Sequence, residues 1–202
     1  IDALQTAQNG GKPFPAEKFV NKIPVKKHDH VLIPAGTVHC SGADTMVLEI
    51  SATPYIFTFK LWDWGRVDLD GKPRPIHLEH GAANTQWYRN TEWVHKNLIN
   101  AVAEVYSDEN GTVVRTGLHE REFLDTFRFT TSSALPVHRN GSVHMLNLVD
   151  GTRAVLRSKS DAFPPLELHY AETCIVPQAA GDYEIYSPDG SEVKVILACV
   201  RN

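Results

Sequence analysis

Short apolar runs rich in β-branched residues recur along the whole chain, each closed off by turn chemistry. "HVLIPAG", "TMVLEIS", "YIFTFKLW", "GTVVRTG", "FRFTT", "VHMLNLVDG", "RAVLRS", "CIVPQAAGDYEIYS" and "EVKVILACV" have the length and composition of strands. Few stretches carry apolar residues at helical spacing, so the pattern predicts an all-β architecture, a sandwich or a barrel. Asp70-Gly71, Asn110-Gly111, Asn140-Gly141, Asp150-Gly151 and Asp189-Gly190 read as hairpin turns, because glycine takes the left-handed torsions that tight turns require. Two segments read as helical. "PAEKFVN" offers one or two turns starting at a proline, and "NTEWVHKNLINAVAEVY" follows a cap at Asn90 or Thr91. The β-branched end of the second reads equally as the start of a strand. The chain therefore divides into a β unit over residues 1–90, a connecting helical segment over 91–107 and a second β unit over 108–202.

Composition limits the partners. A chain of 202 residues that is 42% hydrophobic and 22% charged can bury a substantial core. Its net charge of -4, without a basic cluster, argues against nucleic acid or an anionic membrane surface and for a small, hydrated ligand. The three cysteines, Cys40, Cys174 and Cys199, are widely spaced and odd in number, which suits a reducing, cytoplasmic location over a disulfide framework. No apolar run approaches the roughly 18 residues that span a bilayer. The chain begins at Ile1 with neither a methionine nor a signal-like segment, so it reads as a piece of a longer protein.

"HDHVLIPAGTVHC" at residues 28–40 carries the chemistry. Pro34 has no N–H to donate and ends a ladder; Gly36 permits a tight turn; His39 then lies early on the returning strand with its imidazole available to a divalent ion. The stretch resembles the second motif of the cupin superfamily, G-x5-P-x-G-x2-H-x3-N, with His28 in place of the first Gly and Ala43 in place of the final Asn. His28 and His30 share a face if the strand is regular, but they lie far along it from His39 and read first as residues of the barrel rim. One histidine cannot hold zinc, which needs three or four protein ligands. A fainter echo, "TCIVPQAAGDY" at 173–183, puts Asp182 where the first copy has His39 and predicts a second β unit without a metal.

"IPAGTVHCSGADTMVLEISATPYIFTFKLWDWGR" followed by "DGKPRPIHLEH" resembles class I phosphomannose isomerase over residues 15–80, and 108–202 resembles that family's degenerate C-terminal cupin. The resemblance implies two cupin-like jelly-roll β units joined by a short helical connection, with this chain as the C-terminal part of the protein. It implies an aldose–ketose isomerase that interconverts mannose 6-phosphate and fructose 6-phosphate with one zinc ion, further ligands coming from an N-terminal part of the same protein. His39 matches the last zinc ligand. Glu49 matches an acidic residue on the following strand, a candidate proton carrier, equally readable as a paired strand-end carboxylate. Lys60 stands where the family has an arginine; it keeps the positive charge near the reacting oxygens and loses the bidentate fork. Arg66 and Arg74 match arginines available for the phosphate, while Asp63 and His77 read as structural hydrogen-bonding residues. Trp62 and Trp64 read as core before sugar-stacking, and His138 and His144 as surface or cross-strand residues.

Isomerisation moves a proton between C2 and C1 through an enediol, which calls for a base near those carbons and positive charge near the oxygens. Two other classes stay open. A sugar-phosphate-binding cupin without catalysis fits Lys60 and the incomplete ligand set. A metal-dependent oxygenase would need iron and a fuller set of histidines.

Overall fold

A computed structural model of the chain describes residues 1–51, 58–117 and 119–201. Two compact units emerge, one of residues 1–48 and 53–99 and the other of residues 49–52 and 100–202. The all-β class is borne out by ten strands in two sheets among the described residues, with few helices.

The second unit holds all ten strands: β1 (Ala103–Asp108), β2 (Gly111–Arg115), β3 (Leu124–Thr131), β4 (Ala134–Val137), β5 (His144–Asp150), β6 (Arg153–Ser158), β7 (Leu166–His169), β8 (Thr173–Val176), β9 (Tyr183–Tyr186) and β10 (Val193–Val200). One sheet runs β1-β2-β3-β10-β5-β8 and the other β4-β9-β6-β7. Every pairing is antiparallel. From β3 onward the chain crosses between sheets at almost every connection, only β6 and β7 being sequential neighbours in one sheet. Eight strands wound in this way make a jelly roll, which buries one face of each sheet against the other.

The alternation of strand residues explains the core. Val193, Val195, Leu197 and Cys199 on β10 point inward with His144, Leu146 and Leu148 on β5, and they meet Leu135, Leu156, Leu168, Tyr183 and Ile185 from the other sheet. Each such aliphatic side chain contributes about 1.5–3 kcal/mol on burial. Of the glycine turns read as hairpins, Asn110-Gly111 does close one, between β1 and β2. Asn140-Gly141, Asp150-Gly151 and Asp189-Gly190 instead lie where the chain leaves one sheet for the other. The turn chemistry is the same, but a jelly roll spends it on corners.

In the first unit the described backbone forms short helices, α1 (Asp2–Gln8), α2 (Leu78–Asn84) and α3 (Thr91–Asn97), and a single 3-10 turn at Ala16–Lys18. Asn90 is the cap of α3, its Oδ1 accepting from the Trp93 N–H at 3.0 Å, and β1 takes over from Ala103. Strand structure among these described residues is limited to isolated bridges, Val31 with Ile99 and Val67 with Pro73. The runs "HVLIPAG" and "TMVLEIS" therefore lack the ladders their composition calls for, and Met46 is left 81% exposed with Val47 and Leu48 beside it. An extended segment becomes a strand only with a neighbour to pair. Residues 55–57 of "YIFTFKLW" lie outside the described residues.

His144 differs from its sequence reading: it is 2% exposed. Asn140 Nδ2 donates to Cys199 Sγ (3.2 Å) and to the Val200 carbonyl (3.4 Å), which leaves Asn140 Oδ1 to accept from His144 Nε2–H at 3.1 Å. Tyr183 O–H then donates to His144 Nδ1 at 2.9 Å. Burial, helped by the nearby Arg139 charge, pushes the His144 pKa down to about 4, and burial moves the Tyr183 pKa up against the pull of the same charge. The histidine is thus neutral in the fold. An unfolded chain protonates it below about pH 6.5 while the folded chain refuses the proton until about pH 4. The stability of this unit should accordingly fall across that window by at most about 3.5 kcal/mol, since each unit of pKa is worth about 1.4 kcal/mol. All tryptophans lie in the first unit, so urea midpoints followed by the far-ultraviolet β signal isolate the effect. His144→Gln, which keeps a donor and an acceptor without titrating, should flatten that acid limb.

Candidate functional site

The motif turn is built as its residue types require. Thr37 N–H donates to the Pro34 carbonyl at 3.2 Å, closing Pro34-Ala35-Gly36-Thr37, with Gly36 at φ 82. Only glycine takes that torsion without strain. A Cβ there would also stand 2.6 Å from the Asn84 carbonyl. The close approach is used, since Gln86 N–H donates to the Gly36 carbonyl at 2.9 Å.

Arg89 closes over the same turn. Its Nη1 donates to the carbonyls of Pro34 (3.0 Å) and Ala35 (2.8 Å) and to Thr37 Oγ1 (2.5 Å). The guanidinium lies over the rings of Tyr88 and Trp93, 5.5 and 5.3 Å from their centroids, and those rings meet edge to face. Nothing in the sequence near residue 34 announces a partner 55 residues away, so this arginine was missed; an aromatic-flanked arginine just ahead of a capped helix was the only available signal.

His39 sits beyond the turn, exposed, with Nδ1 2.8 Å from the Thr37 carbonyl. A carbonyl only accepts, so Nδ1 carries the proton and Nε2 keeps its lone pair. That is the arrangement in which a backbone carbonyl orients a metal-binding imidazole. His28, by contrast, has φ 71 in the turn that Lys26 and Asp29 close, so it and His30 do not line one face of a regular strand. Zinc requires three or four protein donors, and among the described residues no group of three His, Cys, Asp or Glu stands close enough to hold an ion. The described residues alone do not make a zinc centre.

A second cluster gathers around Asp63, which is 7% exposed. Its Oδ2 lies 3.1 Å from Arg74 Nε and 3.7 Å from Lys60 Nζ. The backbone of Lys60 pairs with that of His77, whose N–H donates to the Lys60 carbonyl at 2.7 Å, while His77 Nδ1 accepts the Lys60 N–H at 3.2 Å. Arg74 N–H donates to the Arg66 carbonyl (2.9 Å), and Asp68 Oδ1 accepts from Asp70 and Lys72 in the turn between. One buried carboxylate therefore holds two of the candidate cations. Arg66 stays exposed, with no carboxylate against it among the described residues. Trp62 packs on Phe14 at 5.7 Å, while Trp64 is left exposed. Glu49 is exposed and falls in the stretch grouped with the second unit.

In the second unit Asp182 accepts from the Arg139 N–H (2.9 Å) and from His138 Nδ1 (2.8 Å), and these bonds, the backbone one first, hold its carboxyl below the usual range. Arg139 also reaches the Val176 carbonyl and Gln178. The echoed turn is thus clasped by an arginine too, but its acidic residue is spent on an internal pair.

No protein-family model matches the chain. It is 35% identical to the mannose-6-phosphate isomerase of Streptococcus mutans over 63 residues, 31% of this chain and 20% of that protein. It is 22% identical to the Bacillus subtilis protein YvyI over 171 residues, 84% of this chain and 49% of the relative. The chain thus spans between a fifth and a half of these curated relatives. The crystal structure of the mannose 6-phosphate isomerase from Bacillus subtilis superposes with a TM-score of 0.51 at 13% identity, covering 69% of this chain and 39% of that one. Likeness at that identity concerns the fold. The chain has weak, partial homology to mannose-6-phosphate isomerases on a fold shared with one of them.

Gly36→Ala should unseat the turn. The left-handed torsion alone costs an ordinary residue about 1 kcal/mol, and the clash with the Asn84 carbonyl adds to it. Tryptophan fluorescence should report a lower melting temperature for the first unit, with the far-ultraviolet transition of the jelly roll unchanged.

Proposed function

We propose that this chain belongs to a zinc-dependent aldose–ketose isomerase that interconverts mannose 6-phosphate and fructose 6-phosphate, and that it acts together with an N-terminal part of the same protein. The observation that carries the reading is the His39 imidazole, oriented through Nδ1–H by its own backbone with Nε2 left open, in a chain partly homologous to such isomerases. Zinc, where bound, would take His39 as one donor and the rest from outside the described residues. It would supply a Lewis acid without redox change. The apolar segment at 46–48, exposed among the described residues, supports a further segment packing here.

In this reading Glu49, exposed and unpaired among the described residues, carries the proton between C2 and C1. Arg66 offers the phosphate an open guanidinium. Lys60 stays near the developing charge only as far as Asp63 releases it. Three free cysteines support a reducing compartment such as the cytoplasm. The described helices are all too short to cross a membrane.

One observation favours a second reading, a sugar-phosphate-binding cupin without turnover: Lys60 and Arg74 are both committed to a buried carboxylate. Metal analysis of the complete protein and an assay of mannose 6-phosphate conversion separate the two. The isomerase should carry zinc and turn over, and His39→Ala should cost at least about 100-fold in activity together with most of the metal. Binding of the sugar phosphate without turnover would establish the second reading; iron in place of zinc would sink both.

A further inference from the structure

We infer that Arg89 is a positioning residue, whose guanidinium decides which nitrogen of the His39 ring carries the proton. The path has few steps. Arg89 Nη1 ties together the Pro34 and Ala35 carbonyls and the Thr37 hydroxyl, so the two peptide planes leading into Gly36 and the Thr37 side chain are held next to the Thr37 carbonyl. That carbonyl takes the His39 Nδ1–H at 2.8 Å. An exposed histidine with no such acceptor favours the proton on Nε2, which would leave its lone pair on the nitrogen facing its own backbone. The turn reverses this preference and presents Nε2 outward as an acceptor.

The guanidinium is itself immobilised. It lies over Tyr88 and Trp93, and the next residue, Asn90, caps α3, so the arginine is anchored to a helix start and does not sweep a wide cone. Lysine could not substitute fully, because a single ammonium lacks the planar face that stacks between these rings. Gln86, on the same stretch, fixes the Gly36 carbonyl, so the loop leading into α3 grips the motif turn from two sides.

The inference rests on the functional reading of His39, but its test needs neither metal nor sugar. Long-range proton–nitrogen spectra of the full chain labelled in histidine nitrogen, recorded at pH 8 and assigned with His39→Gln, report the tautomer directly. The wild type should show His39 mainly as Nδ1–H, and Arg89→Gln should convert it mainly to Nε2–H. Arg89→Lys should give a mixture. His144, fixed as Nε2–H by Asn140, should not move in any variant. Should Arg89→Gln unfold the first unit, seen as solvent-exposed tryptophan emission, Thr37→Val decides by the same readout: deleting one of the three acceptors should raise the Nε2–H share. The inference is overturned if His39 is Nε2–H in the wild type. It is overturned equally if the folded Arg89→Gln, or Thr37→Val when Arg89→Gln unfolds, keeps His39 as Nδ1–H. A missing isomerase activity with the tautomer shift intact would count against the proposed function alone.

Discussion

Backbone N–H and C=O groups must find partners wherever water is excluded, and the two units meet that obligation in opposite ways. The second uses ladders: ten antiparallel strands pair along their lengths, and side chains are freed to alternate between core and solvent. Among the described residues of the first, side chains do the same work. Arg89 takes the Pro34 and Ala35 carbonyls, His77 takes the Lys60 N–H, Asp68 takes those of Asp70 and Lys72, and His39 binds the Thr37 carbonyl. A ladder tolerates any side chain of the right polarity. A turn held by named side chains tolerates very few, and chemistry gains a fixed geometry from that intolerance.

This contrast explains what could be read in advance. Strand content follows from period-two alternation, and "EVKVILACV" became β10 with Val193, Val195, Leu197 and Cys199 inside, as its pattern implies. The same rule places His144 inward, since it shares a face with Leu146 and Leu148 on β5. It was read as a surface or cross-strand residue; it is paired across strands with Val176 and Cys199, and its surface reading gave polarity more weight than register. The donor and acceptor that make its burial tolerable are Tyr183, 39 residues further on, and Asn140, four residues back, and only the second is within local reach. Three of the glycine turns failed differently: a local signal tells how the chain bends, whereas the choice between hairpin and corner is made by the whole strand order.

At the site, legibility ended at the motif. Pro34, Gly36 and His39 form a local pattern whose spacing states its own geometry, whereas Asp63, read as a structural hydrogen-bonding residue, is the buried ion-pair partner of Arg74 and Lys60. Arg89 was not visible, because its partners are 52 to 55 residues away and arginine is ordinarily a solvated charge. Lys60 was read as the cation near the reacting oxygens, and Arg66 and Arg74 alike as arginines for the phosphate. Their difference lies in a single carboxylate, which no count of charges along the chain can apportion.

That carboxylate also ranks the cations. Asp63 is nearly buried, so leaving it alone would strand a desolvated charge, whereas Lys60 and Arg74 are each more than a third exposed and hydrate easily. Any phosphate that draws Lys60 or Arg74 away must therefore compete with a group that gains more from the pairing than its partners do. Arg74, at 3.1 Å, is the harder to draw away; Lys60, at 3.7 Å on a flexible stem, is the easier. Arg66 answers to no such claim among the described residues. An anion reaching this hairpin thus meets a guanidinium that is open, an ammonium it can share, and a second guanidinium held in reserve to keep Asp63 neutralised. Lysine at residue 60 has mobility where an arginine would have grip, and the buried acid beneath it sets how far that mobility extends.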